Sequence, residues 1–259
     1  MKNFDILINK GLMTGCNEAF YINESKKNEL ENLDINSSNL IFKNFRGREI
    51  CKYYTPITED SYVIVTSNYI NIDQYPAIKN HLLKYEDKLR GRAQFIRGDH
   101  EWFTVDNCPS EDNLKKYKDT KIIYPNMTQM PCFTIDDSGA FSNDKTFTIV
   151  SDNKLIKYLC GVLNSNLLNI YLSLSLPKLG NNGYEVRKVF FENTPIPKIT
   201  KENVKSVEKI EEIVNKILEV KKTTKNGNII DLENEINELV MDLYELTEEE
   251  KDIIRNSVK

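Results

Sequence analysis

The sequence predicts a mixed α/β (α+β) protein that ends in an antiparallel helical hairpin. Short runs rich in β-branched and aromatic residues, such as SYVIVTSNYI at 61–70, alternate with segments of helical periodicity. From about residue 201 onward, apolar residues recur at spacings of three and four on two segments, which an Asn-Gly turn signal separates. We therefore expect a body at 1–199 and a helical appendage at 200–259.

The charge of the chain is unevenly distributed. Its 35 basic and 39 acidic residues give a net charge of -4, within an otherwise ordinary globular composition of 40% hydrophobic and 29% charged residues. Residues 201–259 hold ten Lys or Arg and fifteen Asp or Glu, which leaves twenty-five basic and twenty-four acidic residues in the body. A body with this balance can still bind a polyanion, so the overall charge does not exclude a nucleic-acid partner.

Cysteine and histidine usage argues against a metal or redox protein. The five cysteines are scattered without a CxxC pair, and only two histidines accompany them. A structural zinc site is not expected from this set, and inert thiols in a reducing cytoplasm are. No apolar run approaches the roughly 18 to 20 residues of a membrane span, and no signal peptide is apparent. We expect a cytoplasmic protein without a membrane partner.

The first elements are short. A strand is expected at 4–8 (FDILI), followed by a strand-turn-strand at 12–22 and a polar helix at 23–33. Gly11 and Gly15 are too sparse for a dinucleotide or phosphate cradle, which needs several glycines so that backbone N–H groups can approach the ligand.

A basic amphipathic stretch follows. A helix is predicted from Pro76 to about Leu89, where Arg90-Gly91-Arg92 ends it. Residues 79–100 contain six Lys or Arg against three acids, interleaved with aromatic residues. That composition suits a groove that handles phosphates and base edges, although a solvated helix face has the same pattern. Trp102 is expected in the core rather than as a base-stacking platform.

The second half of the body should contain three strands and a buried helix. A strand ends at Pro125, and strands at 132–137 and 145–151 are expected to be joined by a hairpin-like connection. Residues 155–172 predict a buried helix, with a break at Asn164-Ser165.

The chain should end with a loop, a strand and three helices. Residues 176–188 are rich in glycine and asparagine and predict a mobile or substrate-facing loop, and 189–199 predict a final strand. The two hairpin helices should each be about 15 residues long, and Thr247 should cap a short third helix. A hairpin buries one face of each helix, so it must lie against this body, a partner domain or a second copy.

Enzyme classes lack their usual residues. A methyltransferase acting on an exocyclic amine would need an Asn/Asp-Pro-Pro-aromatic tetrapeptide and a Gly-rich cofactor turn, and neither occurs. Glu24-Ser25-Lys26 and Glu86-Asp87-Lys88 match a metal-nuclease triplet, but such triplets are common by chance and the second lies in a predicted helix. With two histidines, a cysteine nucleophile has no evident base. A binding module is favoured.

Several segments together resemble a known family. In order, they are GLMTGCNEAFYI, FRGREICKY, YPAIKNHLLKYEDKLRGR, Trp102, KIIYPNM, LCGVLNSNL and FFENTPIPKI. From about Ile8 to Ile199 the chain resembles the TaqI-like C-terminal specificity domain. This is the target-recognition domain of adenine-specific DNA methyltransferases and of type IIG restriction-modification enzymes. The helical tail resembles the segment that ends many of these enzymes and their specificity-subunit relatives.

The resemblance implies a fold and a function. The fold would be a twisted sheet with packed helices, followed by the hairpin. The function would be sequence-specific recognition of double-stranded DNA, so that a methyltransferase domain or subunit can act on a flipped adenine. That catalytic part would carry S-adenosylmethionine and any nuclease. We therefore expect no enzyme activity from this chain alone, which would be an excised or separately encoded specificity part. The alternative is a protein-interaction module, in which the hairpin docks a partner.

The candidate site residues are basic and amide side chains on predicted turns. We expect phosphate or cleft contacts from Arg46, Arg48, Arg90, Arg92 and Arg97. We expect base reading from Asn126, Thr128, Gln129, Lys178, Asn181, Asn182 and Arg187. Thr14, Asn17 and Glu18 match the first family motif and are interpreted as mainly structural. No catalytic or metal-binding residue is assigned, and for each single residue a solvated surface loop is the alternative.

Overall fold

A computed structural model describes residues 1, 4–54, 60–107, 117–151, 153–180, 183–224 and 226–257. The strands are β1 (Leu7–Lys10), β2 (Tyr21–Ile22), β3 (Ile41–Phe45), β4 (Tyr62–Ile64), β5 (Lys121–Pro125), β6 (Met127–Thr128), β7 (Thr134–Asp136), β8 (Phe141–Ser142), β9 (Thr146–Val150), β10 (Lys178–Leu179) and β11 (Gly183–Glu185). The helices are α1 (Asn17–Phe20), α2 (Glu24–Leu33), α3 (Pro76–Leu83), α4 (Glu86–Arg90), α5 (Ala93–Ile96), α6 (Asn153–Asn164), α7 (Asn166–Ser175), α8 (Lys188–Phe191), α9 (Val204–Thr223), α10 (Ile230–Leu243) and α11 (Glu248–Ser257). The mixed α/β class is confirmed.

The central sheet has the order β1-β9-β5-β7 and is antiparallel throughout. Strand β5 lies inside this sheet and all five of its residues are buried, which explains its nearly continuous apolar sequence. The sequence predicts that the strands now seen as β7 and β9 are joined as a hairpin, and this is wrong. Strand β5 separates them, and their connection contains β8, which pairs in parallel with β3.

A buried ion pair links two strands of the central sheet. Lys121 and Asp136 face each other across β5 and β7, with Lys121 Nζ 2.5 Å from Asp136 Oδ2. The ammonium also donates to the carbonyl of Tyr117 at 2.8 Å. Removal from water lowers the pKa of Lys121 and Asp136 counteracts this, so the lysine charge depends on its partner.

The second sheet has the order β2-β4-β3-β8 and supports the helices of the first half. Its core includes Val63 and Ile64 from β4, Ile78 and Leu82 from α3, and Trp102, so the tryptophan is a core residue here. The single helix predicted from Pro76 to Leu89 is divided into α3 and α4. The division lies at Tyr85, whose backbone leaves the helical region with φ -115° and ψ 13°.

Three other short elements differ from the sequence prediction. The first strand begins at Leu7 rather than at residue 4, and within the predicted strand-turn-strand at 12–22, residues 17–20 form a helical turn directly before the two-residue strand β2. The predicted final strand at 189–199 is also wrong, because α8 ends at Phe191 and irregular backbone follows. These elements are four residues long or less, a length at which tertiary contacts override local pattern.

The helical appendage lies against the body. Both hairpin helices and the short third helix α11 are present, although α9 has 20 residues rather than about 15, and α6 and α7 are divided at Ser165 as expected. A Cβ atom placed on Gly161 of α6 would lie 2.5 Å from Ile210 Cγ2 and 3.1 Å from Val214 Cγ2 of α9, so glycine permits this close approach. The apolar face of the hairpin therefore belongs to the same core as the central sheet. Within the described residues, no helix combines the length and apolar character that a membrane span requires.

Candidate nucleic-acid interface

A small third sheet brings two distant segments together. Strand β11 lies between β6 and β10, antiparallel to both, so that Tyr184 is opposite Thr128 on one side and Lys178 on the other. The Val186 amide extends this pairing by donating to the carbonyl of Asn126 at 2.8 Å. The segments 126–129 and 178–187, which are separate in sequence, thus form one structure. Much of the predicted loop at 176–188 is a hairpin, while Asn181 and Asn182 lie outside the described residues.

The turn that carries Arg46 and Arg48 lies beside this sheet. The Gly47 amide donates to Asn143 Oδ1 at 3.3 Å, and a Cβ atom on Gly47 would lie 2.7 Å from the Lys145 carbonyl oxygen. The same Lys145 carbonyl accepts a hydrogen bond from the backbone N–H of Asn126 at 2.8 Å. The β8–β9 turn therefore joins the arginine turn to the third sheet. Glycine is needed at position 47 because of this packing, rather than for a special backbone angle.

Cations predominate at this end of the molecule. We call the set Arg46, Arg48, Lys145, Lys178 and Arg187 the basic end, and all five side chains are exposed. Two nearby carboxylates already form ion pairs with members of this set: Asp144 pairs with Lys145 at 2.9 Å, and the largely buried Glu185 pairs with Arg187 at 2.7 Å.

The arginine turn carries two exposed cations, Arg46 and Arg48. Glu49 accepts a hydrogen bond from the Arg46 backbone amide at 3.0 Å. No carboxylate of the described residues forms an ion pair with the side chain of Arg46 or Arg48. Within the described residues, the basic end therefore offers two guanidinium groups without a carboxylate partner to an anion.

Sequence reasoning missed two residues of this region, Lys145 and Tyr21. Burial raises the pKa of the Tyr21 hydroxyl, Asp144 raises it further and Arg46 lowers it, which places this tyrosine beside the basic end. No local signal marks either residue. Lys145 follows a predicted connection, and only the β3–β8 pairing brings it next to Arg46.

The structure corrects the prediction for Arg92. This side chain is buried, and its guanidinium donates to the carbonyls of Thr14 at 2.9 Å, Trp102 at 2.8 Å and Leu89 at 3.1 Å. It also pairs with Asp106 Oδ1 at 3.0 Å. Arg92 is therefore a structural residue that joins α4 to the first loop, because these contacts occupy the donors that a phosphate would need.

Arg90 and Arg97 belong to the helical layer around Arg92, not to the basic end. Arg90 pairs with Glu86 at 2.7 Å and its guanidinium lies over the rings of Phe95 and Trp102. Arg97 pairs with Asp99 at 2.9 Å. Exposed pairs of this kind are weak, so either arginine can exchange its carboxylate for a phosphate. Their DNA contacts remain predictions.

The predicted base-reading residues differ in what they can offer. Gln129 is exposed at the tip after β6. Thr128 is not free, because its hydroxyl donates to the Met130 carbonyl at 2.7 Å and accepts from the Met130 amide at 3.3 Å. Asn126 is half-buried with both backbone groups engaged, and its buried Oδ1 has no hydrogen-bond partner among the described residues. We assign Thr128 a positioning role on this evidence.

The chain does not fit a nucleotide-type cofactor at its glycine pair. A Cβ atom on Gly11 would lie 2.0 Å from the Asn143 carbonyl oxygen, and one on Gly15 would lie 2.3 Å from the Asp106 carboxyl group. Both positions are filled by the protein itself. Of the nuclease-like triplet at 86–88, the first and last residues form ion pairs with Arg90 and Glu18 respectively. Within the described part of the chain, no group of three or more His, Cys, Asp and Glu residues suits a metal ion.

The profile of the TaqI-like C-terminal specificity domain matches residues 42–196, which is more than half of the chain. The chain belongs to this family. The match begins after the GLMTGCNEAFYI segment, so the family assignment rests on β3 through the irregular backbone after α8. It includes the whole basic end.

Two solved restriction-modification enzymes resemble this TaqI-like specificity domain in structure. One is the type IIL restriction-modification enzyme MmeI, in complex with DNA, with a TM-score of 0.68 and 15% sequence identity over 93% of this chain and 33% of MmeI. The other is the type IIG restriction endonuclease BpuSI, with a TM-score of 0.46 and 15% identity over 93% of this chain and 30% of BpuSI. The chain therefore spans about a third of the length of each enzyme, and MmeI shares its fold.

Proposed function

We propose that this TaqI-like specificity domain recognises a specific sequence of double-stranded DNA for a restriction-modification enzyme. The observation that carries the proposal is the basic end, where five exposed cations from four separate segments meet beside the third sheet. Phosphate neutralisation by Lys and Arg supplies most of the affinity of proteins for DNA. MmeI, which shares the fold, is a restriction-modification enzyme described in complex with DNA, and this supports the same ligand here.

The geometry suggests a division of roles. Arg46, Arg48 and Lys145 lie on turns beside the sheet and would contact phosphates, which position a protein without reading sequence. Gln129, Lys178 and Arg187 project from the third sheet and would read base edges, since a small β-ribbon fits the major groove. Arg187 pairs with Glu185 at 2.7 Å, which restrains its guanidinium, and a guanidinium can donate two hydrogen bonds to the major-groove edge of a guanine.

Catalysis is assigned elsewhere in this proposal. The specificity domain would hold the duplex while a methyltransferase domain or subunit, carrying S-adenosylmethionine, acts on the adenine, with cleavage where that enzyme also has a nuclease. The alternative function, assembly through the helical hairpin, draws no support from the hairpin's apolar face, because that face packs against α6.

The test is selection of bound duplexes from a randomised double-stranded library by the 259-residue chain. We expect one sequence to be enriched, with an affinity that falls as salt rises. The Arg46→Ala/Arg48→Ala double variant should reduce the magnitude of the negative slope of log K against log salt by about 2, since each phosphate contact contributes roughly 0.9. Arg255→Ala, on the distant α11, is the matched control and should leave the slope unchanged.

Two results would count against the proposal. If no sequence is enriched over the input library, the proposal that the domain recognises a specific DNA sequence is wrong. If the double variant has the same salt dependence as the wild type, the phosphate contacts are not made by Arg46 and Arg48. The same salt titration of Arg90→Ala and Arg97→Ala decides whether the helical layer also contacts DNA.

A further inference from the structure

Four exposed apolar side chains lie on the chain segments that carry the basic end. Met127, Met130, Val189 and Phe190 are between 43% and 64% exposed, and they lie on β6, on the turn after it and on α8. Single exposed apolar residues are ordinary on a protein surface, but Met127 and Met130 lie three residues apart on β6 and the turn after it, where a ligand can cover both.

The two methionines occupy fixed backbone positions. Met127 is paired with Glu185 of β11. The backbone of the preceding residue, Asn126, is also fixed, because its N–H donates to the Lys145 carbonyl and its carbonyl accepts from the Val186 N–H. Met130 is fixed by Thr128, whose hydroxyl bonds both its amide and its carbonyl. The side chains themselves are flexible thioethers that adapt to an apolar surface. Rigid backbone with adaptable apolar tips is suited to reading a shape rather than a hydrogen-bonding pattern.

The charge around the methionines selects the kind of ligand. Exposed cations lie on the chain segments that build the third sheet: Lys178 is on β10, and Arg187 and Lys188 follow shortly after β11. The carboxylate of Glu185, the strand partner of Met127, pairs with Arg187. Cations around an apolar centre fit a polyanion with an apolar group at its recognition edge. In the major groove of DNA, the thymine C5 methyl is the apolar group that distinguishes one base pair from the others.

We propose that Met127 and Met130 read thymines by contact with their C5 methyl groups. This inference rests on the proposed function, and it names the feature of the DNA that the third sheet recognises. Thr128 serves it by positioning Met130. The recognised sequence should therefore contain at least one thymine whose methyl group contributes to affinity.

The experiment replaces thymine by deoxyuridine, which removes the methyl group and leaves the base pairing intact. In the duplex selected by the wild-type chain, each thymine is replaced in turn and the Kd is measured. We expect an increase in Kd of about fourfold per contacted methyl, from the transfer free energy of one buried carbon. The Met127→Ala/Met130→Ala double variant should bind the thymine and deoxyuridine duplexes equally. Leu33→Ala, at a similarly exposed apolar residue on α2, should keep the wild-type response.

The outcomes separate this inference from the function on which it rests. If the wild-type chain selects a sequence but tolerates deoxyuridine at every position, or selects a sequence without thymine, methyl reading is wrong and DNA recognition stands. A double variant that retains the full deoxyuridine response also overturns it, and then the patch serves a protein partner or none. If the wild-type chain selects no sequence, both proposals fail together.

Discussion

Replacement of Arg92 by methionine tests whether this arginine is structural. Methionine keeps the apolar stem and removes the guanidinium, which leaves the Asp106 carboxylate and three backbone carbonyls without their donor. The side chains of Arg92 and Asp106 are 7% and 12% exposed, so water screens the pair only weakly. Removing one partner of a buried pair costs about 3–5 kcal/mol, and carbonyls left unsatisfied add to this. We expect Arg92→Met to lower the free energy of unfolding by about 4 kcal/mol.

The matched control is Arg90→Met, two residues away. Arg90 forms an exposed pair with Glu86 on the helix surface, for which about 0–1 kcal/mol is expected. Thermal unfolding can be followed by the fluorescence of Trp102, the only tryptophan, whose carbonyl accepts from Arg92. For a chain of this size each kcal/mol shifts Tm by about 2–4 °C, so Arg92→Met should unfold roughly 8–16 °C below the wild type. Arg90→Met should stay within about 4 °C of it.

One result would refute this reasoning. If Arg92→Met unfolds at the wild-type temperature and loses DNA binding with a reduced salt slope, Arg92 is a phosphate contact. The buried network would then not be the arrangement in solution. A loss of stability together with a loss of binding would leave the structural role intact, because an unfolded domain binds no specific sequence.

Two further perturbations test buried ionisable groups. Lys121→Met should cost about 3–5 kcal/mol because it leaves Asp136 charged and unpaired, whereas Lys121→Met/Asp136→Leu should lie within about 2 kcal/mol of the wild type; equal losses in urea unfolding would contradict the ion pair. Burial lowers the pKa of His81 below its unfolded value of about 6.5. The unfolded state therefore binds more protons at His81 than the folded state, and the contribution of His81 to the free energy of unfolding is lost as pH falls from about 6.5 through the folded pKa. His81→Gln keeps a donor for the Ala19 carbonyl and should show a smaller loss of stability between about pH 7.5 and pH 5; an unchanged loss would assign the pH dependence to other groups.

The elements that the sequence predicts correctly are those in which local pattern and burial agree. The hairpin helices α9 and α10 have a continuous apolar stripe, and that stripe is the face that packs on α6. Strand β5 is apolar apart from Lys121, whose charge is paired with Asp136, because the strand lies between two strands of the central sheet. In these segments one residue pattern admits one arrangement, so the prediction needs no knowledge of distant contacts.

The elements that the sequence does not predict depend on distant contacts. Strands β6 and β10 are two residues long, and their existence follows from pairing with β11, not from any local alternation. Likewise, Arg92 and Arg90 share the same basic segment and have the same composition around them. Only the positions of Asp106 and Trp102 decide that one is buried and the other exposed. Side-chain burial within a charged segment is a tertiary property.

Tertiary contacts also decide which side chains of the third sheet are available to DNA. A hydroxyl such as that of Thr128 is a plausible base contact when only its chemical type is known, but a hydroxyl has one proton and few lone pairs to share. Here its proton is donated to the Met130 carbonyl and a lone pair accepts from the Met130 amide, so the local turn uses the group before DNA can. The exposed side chains at this turn are instead those of Met127, Gln129 and Met130, and only the Gln129 amide can form conventional hydrogen bonds. Under the proposed function, this tip would combine one polar contact with apolar shape, and thymine is the base whose major-groove edge offers both an acceptor and a methyl group.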